Sequence, residues 1–272
     1  MKTHRRFSAR TSKVVSQRED PLLVQSVEKA FQVLIAFDGT VHSIGLTQLS
    51  AKAGLDKSTA QRFTHTLTRL GYLRKDPNTK RFELTVKTLD LGYRYTRANP
   101  LINRALPYLL HISKSTEETV NLTVLDDTDI IFVSRFMSRH VLNNDVVIGT
   151  RMPAYCTAPG IAILSRLPSN EARHILKRSN LKAFTPYTTY RMDDLVKKLE
   201  ISAAQGYATA FDEFYHGDLS IAAAILDQNR WPIGAINIAV SRTRFSPEEA
   251  VERFSPLVVA AALSLSQVSN LR

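Results

Sequence analysis

The stretch LDKSTAQRFTHTLTRLGYL, residues 55–73, carries Lys57, Ser58, Thr59, Gln61, Arg62, His65 and Arg69, but only one acid, Asp56, at its start. Ala60, Phe63, Leu67 and Leu70 recur at helical spacing. That pattern predicts a helix capped by Asp56 that buries one side and leaves the basic, amide and hydroxyl groups outside. Arg and Gln can read purine edges with paired hydrogen bonds, and Ser or Thr can bond phosphate or base. The scarcity of acids removes repulsion from phosphate.

The flanking residues supply partners for this helix. TQLSAKAG, residues 47–54, predicts a short helix capped by Thr47, with Leu46, Leu49 and Ala53 on one side. Gly54 suits a left-handed turn, and Leu55 closes into the core. SVEKAFQVLIAF, residues 26–37, predicts a first helix capped by Ser26, with Val27, Ala30, Phe31, Leu34 and Ile35 as its apolar stripe. YLRKDPNTKRFEL, residues 72–84, has two short alternating runs around DPNTK, where Pro77 and Asn78 are turn residues. It predicts a β-hairpin with Arg74, Lys75, Lys80 and Arg81 near its tip. A short helix, a glycine turn, an amphipathic helix and a basic hairpin make a winged helix-turn-helix. Its second helix can enter the DNA major groove while the wing presses on phosphates or the minor groove. An ordinary solvated helix would not be followed by such a hairpin.

Charge separates this segment from the rest. Residues 1–100 hold 18 Lys/Arg against 8 Asp/Glu, whereas residues 101–272 hold 18 against 17. The split suggests that one part meets a polyanion and the other does not, the alternative being a merely soluble basic surface. The first twenty residues, with six Lys/Arg and two acids, lack an apolar run, which excludes a secretory signal. An Arg- and Ser-containing start could mark an organelle transit peptide. Without a clear amphipathic helix the segment reads as a disordered basic arm. No apolar run is long enough to span a membrane. A single cysteine, Cys156, excludes an intramolecular disulfide framework and fits a reducing cytoplasm.

The second part alternates strand and helix patterns. VKTLDLGYRYTRANP, residues 86–100, predicts a linker helix ending before Pro100, and a further helix follows with Pro107 as a kink. TVNLTVLDDTDIIFVSRF, residues 119–136, predicts a hairpin in a half-buried sheet turning at DDTD. Another strand is predicted near Val146–Ile148, and later ones in GYATAF, LSIAAAIL and IGAINIAV. Helices fit APGIAILSRL, NEARHILKR, MDDLVKKLEISAAQ and the C-terminal PEEAVERFSPLVVAAALSLSQVSNL. The mixture argues for an antiparallel α/β domain. Thr157 is placed to cap the helix after the GTRMPAYCTAPG loop, whose amides could hold a carboxylate. Ser220 and Asn237 fall on neighbouring predicted strands, where a hydrogen-bonded structural role is an open alternative to a ligand contact.

SVEKAFQVL, then LTQLSAKAGLDKSTAQRFTHTLTRLGYLRKD, then RFELTVKTLDLG, resemble the IclR family of bacterial transcriptional regulators, and the similarity runs to the C-terminus. The resemblance implies an α+β chain with an N-terminal winged helix-turn-helix and a C-terminal GAF-like α/β effector domain, its pocket a cup over the sheet. The family's Gly-x-x-x-Pro and Thr-Ala-x-Gly loop signatures fall on Gly149, Pro153, Thr157, Ala158 and Gly160. Its common Lys after that last Gly is Ile161 here. Glu213 and Gly217 match its acidic turn, and Ser220, Ala222 and Asn237 match effector-facing positions. Its usual Pro at the end of the small-residue run is Ala224. The resemblance also implies a small organic acid as effector and frequent dimers of dimers. AINIAV and RMPAYCTAPG look closest to the branch controlling aromatic-acid breakdown.

These residues predict four segments: a basic arm over 1–20, the winged helix-turn-helix over 21–85, a linker helix over 86–100 and the effector domain over 101–272. The expected partners are operator double-stranded DNA, a small carboxylate effector and a second copy of the chain, because one recognition helix reads only a half-site. The DNA-facing residues are Lys57, Ser58, Thr59, Gln61, Arg62, His65, Arg74, Lys75, Lys80 and Arg81. The effector-facing residues are Met152, Cys156, Thr157, Ala158, Gly160, Ser220, Ala222 and Asn237. No cofactor or metal is expected: His-x-x-x-His pairs and phosphate-cradling glycine loops are missing from the sequence. The rival is an enzyme with Cys156 as nucleophile, His140, His174 or His216 as base and Asp212 or Glu213 as orienting acid. It lacks a Gly-x-Ser-x-Gly elbow. A third alternative is a nucleic-acid-binding protein with no ligand.

Overall fold

The computed structural model describes residues 22–39, 41–140 and 146–268, so the predicted arm over 1–20 lies outside the described residues. The chain divides into two compact units between Tyr95 and Thr96.

The first unit opens with α1 (Gln25–Ile35), α2 (Leu46–Lys52) and α3 (Lys57–Arg69), followed by β1 (Leu73–Lys75) and β2 (Phe82–Leu84). Asp56 caps α3, its carboxylate accepting from the Thr59 amide at 2.9 Å. The bonds from Thr59 hold the Asp56 carboxyl down at about 2. Gly54 takes a φ of +65° between α2 and α3, a conformation any β-carbon would strain. Leu73 pairs with Leu84 and Lys75 with Phe82 in the hairpin, and Ile44 bridges to Phe82 as a third rung. The core gathers Val33, Ile44, Leu49, Ala60, Leu67 and Phe82.

Local details depart from the sequence-based expectation. Neither Ser26 nor Thr47 caps a helix: Val24 and Gly45 hold those positions with no side-chain bond. Helix α1 buries Val33, while Val27, Phe31 and Ile35 of the predicted stripe are 50–73% exposed. Leu70 is exposed as the residue after α3, and Thr64 is buried in its stead.

A 3-10 turn over Val86–Thr88 leads into α4 (Leu89–Ala98), and Asn99 caps α5 (Pro100–Thr116) through the Leu101 and Ile102 amides. The second unit holds β3 (Thr119–Asp126), β4 (Asp129–Phe136), β5 (Arg151–Pro153), α6 (Ala158–Leu164), α7 (Ser169–Arg178), α8 (Met192–Gln205), β6 (Ala208–Phe211), β7 (Asp218–Leu226), β8 (Pro232–Ser241) and α9 (Pro247–Val268). Strands β5-β4-β3-β8-β7-β6 form one antiparallel sheet. The strand expected at 146–148 is instead a turn, and its successor Arg151–Pro153 makes the edge.

The sheet is covered on both faces rather than one. Val120, Leu122, Ile221 and Ile238 pack with Leu109 of α5 and Phe254 and Val258 of α9. Phe132, Ala222 and Ala235 on the other side pack with Ile161 of α6 and Leu195 of α8. Each fully buried Leu, Ile or Phe contributes about 1.5–3 kcal/mol. Thr119, Asn121 and Thr123 alternate with Val120 and Leu122 yet are buried too, because they face the second layer.

Candidate nucleic-acid interface and ligand cup

In the first unit, Lys57, Ser58, Gln61, Arg62 and His65 of α3 line one concave surface with Lys75, Thr79 and Lys80 of the hairpin. Lys80 follows the hairpin turn with φ +58°. Three residues assigned to DNA from the sequence do not line this surface and hold bonds within the protein. Arg74 is paired with Glu83 at 2.7 Å. Arg81 turns inward, its Nε donating to Ser43 Oγ at 2.8 Å. Thr59 is half-buried, and its amide is committed to the Asp56 cap.

In the second unit, a cup opens between the sheet, the 150–159 loop and the turn over 213–215. Met152, Cys156, Thr157, Ala158, Ser220 and Asn237, assigned to the effector from the sequence, lie in its lining, together with Ile130, Phe132 and Val146 as apolar wall. Gly160 and Ala222 do not line it. A β-carbon on Gly160 would lie 2.1 Å from the Ala154 carbonyl oxygen, so this glycine lets α6 pack on the preceding turn. Ala222 is fully buried in the layer that α6 covers. Thr157 occupies the cap position of α6, but its hydroxyl donates back to the Pro153 carbonyl at 3.1 Å. Pro159 removes an amide donor from the first turn of this seven-residue helix. An anion therefore gains little there.

Among the described residues lining the cup, Arg135 supplies a guanidinium beside the ionisable side chains of His140, Glu213 and Asp218, and sequence reasoning missed it. Arg135 of β4 stands opposite Asn121 of β3, and Asn121 opposite Asn237 of β8. Arg135 Nη1 donates to Asn121 Oδ1 at 2.9 Å, and Asn237 Nδ2 donates to Ser220 Oγ at 3.0 Å. A polar row thus crosses the floor over four strands. Burial lowers the Arg135 pKa, opposed by the charge of Asp218. Asp218, also in the lining, is pushed up to about 7 by burial, against the pull of Arg135 and with help from Asp212. Glu213 lines the cup paired to Lys198, and the neighbouring Asp212 is paired to Arg242.

Cys156 is fully buried, and burial pushes its thiol up to about 12. A nucleophilic cysteine needs the opposite shift. His174 is exposed on α7, and His216 pairs with Asp212 at 3.5 Å. Among the described residues no group of three His, Cys, Asp or Glu could hold a metal ion, and no helix is long and apolar enough to cross a membrane.

Comparison with known proteins agrees with this architecture. Residues 26–77 match the IclR helix-turn-helix domain, and residues 93–267 match the C-terminal domain of the bacterial transcriptional regulator IclR. The Pca regulon regulatory protein of Pseudomonas putida is 31% identical over 90% of this chain and 84% of its own. The crystal structure of an IclR transcriptional regulator from Alicyclobacillus acidocaldarius superposes with a TM-score of 0.78 at 25% identity, covering 91% of this chain and 99% of that one. An IclR homologue from Microbacterium hydrocarbonoxydans, crystallised with 4-hydroxybenzoate, shares the fold with a TM-score of 0.76 at 21% identity, covering 91% of this chain and all of its own. A winged helix followed by an antiparallel α/β unit, matched by both models over most of its length, places this chain in the IclR family of bacterial transcriptional regulators.

Proposed function

We propose that this protein is a ligand-responsive, DNA-binding regulator whose effector is a small carboxylic acid with an aromatic body. The observation that carries the ligand half is Arg135: a half-buried guanidinium at one end of a polar row, set among Phe132, Met152 and Val146. A carboxylate suits its fork, and an aromatic ring suits the walls. The names of two relatives support the same class: a Pca regulon regulator, and a homologue holding 4-hydroxybenzoate.

The DNA half uses Lys57, Ser58, Gln61, Arg62 and His65 against the major groove, with Lys75 and Lys80 on phosphate. Arg81 acts as an internal support through Ser43, while Arg74, exposed although paired with Glu83, stays open to phosphate. Residues 1–20 serve as a basic arm, 21–85 as the winged helix-turn-helix, 86–100 as the linker and 101–272 as the effector domain, working in the cytoplasm where operator DNA lies. Val27, Phe31 and Ile35 form an exposed ridge at four-residue spacing on α1. That ridge supports self-association, so that a dimer, or a dimer of dimers, reads paired half-sites.

The experiment is a thermal-shift screen of benzoates and short aliphatic acids. Ligand at about 100 times its dissociation constant stabilises a protein by about 2.7 kcal/mol. Shifts confined to aliphatic acids, or none at all, contradict the proposal.

A further inference from the structure

We infer that the cup reads a hydroxyl group on its ligand through Asn237 and Ser220, and so selects a hydroxylated monocarboxylic acid over the bare acid. This inference rests on the effector-pocket reading above.

Asn237 is 3% exposed. Its Nδ2 donates to Ser220 Oγ, while its buried Oδ1 receives no hydrogen bond among the described residues. A buried amide oxygen without a donor is costly. Ser220 Oγ, having accepted from Asn237, keeps its own proton to donate. One point in the cup therefore offers an acceptor and a donor side by side. A hydroxyl matches both at once. A carboxylate, ketone or ether cannot donate to Oδ1, and a bare C–H edge leaves both groups unmet.

The register sets the distance from this point to the anion anchor. Asn237 lies two strands from Arg135, with Asn121 between them. Two strand spacings are about 10 Å. Arg135 shortens the gap by reaching to Asn121. What remains suits one six-membered ring carrying its carboxylate at one end and its hydroxyl at the other. A bridging water could also serve Asn237. It would leave the bare acid free to bind as well as the hydroxylated one, which separates the two cases.

The test is calorimetry on the full chain with 4-hydroxybenzoate, benzoate and 4-methoxybenzoate. The parent should bind 4-hydroxybenzoate about 10- to 100-fold more tightly than benzoate, with the methoxy acid no tighter than benzoate. In Asn237→Leu, or in the milder Ser220→Ala should the first not fold, that preference should shrink to about threefold or less. Equal affinity of the parent for 4-hydroxybenzoate and benzoate overturns the inference and leaves the effector pocket standing. So does a preference that survives intact in the folded variants. If none of the three acids binds the parent, the pocket reading falls and the inference with it.

Discussion

Asn121 and Asn237 stand directly opposite each other on β3 and β8 and do opposite work. The oxygen of Asn121 accepts from Arg135 at 2.9 Å, while the amide nitrogen of Asn237 donates to Ser220 at 3.0 Å. One residue pair thus ties the charged end of the cup to its neutral end. The sheet holds both ends in fixed register, so the proposed ligand would have two anchor points on rigid elements rather than on loops.

Arg135→Gln should remove the anion anchor. We predict a loss of about 10- to 100-fold in 4-hydroxybenzoate affinity, because hydrogen bonds to charged groups are worth about 1.5–3 kcal/mol. Neutral 4-hydroxybenzamide should bind parent and variant alike. Calorimetry with both ligands checks this, and an equal loss for the two would mean that the substitution damages the cup as a whole.

Ligand affinity should fall as pH rises through neutrality. Burial pushes the Asp218 carboxyl up to about 7, which favours its neutral form on the acid side of neutrality and its charged form on the basic side. Charged, it competes for Arg135 and repels an incoming carboxylate. Asp212 faces it too, but is itself held by Arg242, and His140 and Glu213 share the lining. The expected profile is tighter 4-hydroxybenzoate binding at pH 6 than at pH 8. Asp218→Asn, which fixes the neutral form, should flatten it. A profile unchanged in that variant would assign the titration to another group.

On the DNA side, Arg62→Ala should lose about 1–3 kcal/mol of discrimination between site variants if its fork reads a base. Lys80→Ala should weaken all duplexes alike and reduce the salt slope. Arg81→Ala should act differently from both, lowering thermal stability of the first unit through loss of the Ser43 contacts. Anisotropy titrations at several salt concentrations, with melting curves for the same variants, separate the three. Identical behaviour of Arg62→Ala and Lys80→Ala would remove the distinction between groove and backbone contacts.

Gly160→Ala tests packing rather than recognition. The added carbon would meet the Ala154 carbonyl oxygen at 2.1 Å, and backbone cannot swing aside as a side chain can. Overpacking of this kind costs about 1–3 kcal/mol, occasionally more. Denaturant unfolding should show that loss. A neutral result would mean that the turn before α6 yields freely.

The winged helix was legible because its signals are local: Asp56 caps, Gly54 and Gly71 turn, and the α3 face sorts by period. The polar row was legible only at Ser220 and Asn237. Arg135 was hidden for a structural reason. Strict alternation from Ile130 and Phe132 would aim Ser134 at the cup, but the β3–β4 register shifts between Leu122 and Thr123. The shift inserts Val133 as an extra residue and turns Arg135 to the cup side, as β-bulges do. Alternation read from one strand cannot reveal a bulge set by its neighbour. The same limit hid the inward turn of Arg81, since Ser43 lies 38 positions away in sequence.

The most direct measurement couples the two halves. A duplex selected by the full chain from a randomised pool is titrated with protein, with and without saturating 4-hydroxybenzoate, for the parent and for Arg135→Gln. A ligand-responsive regulator should change its affinity for that duplex by about 5- to 150-fold when the cup is filled, and the variant should show the change only at far higher ligand concentration. Ligand that binds the parent yet leaves its affinity for the selected duplex unaltered would contradict the account.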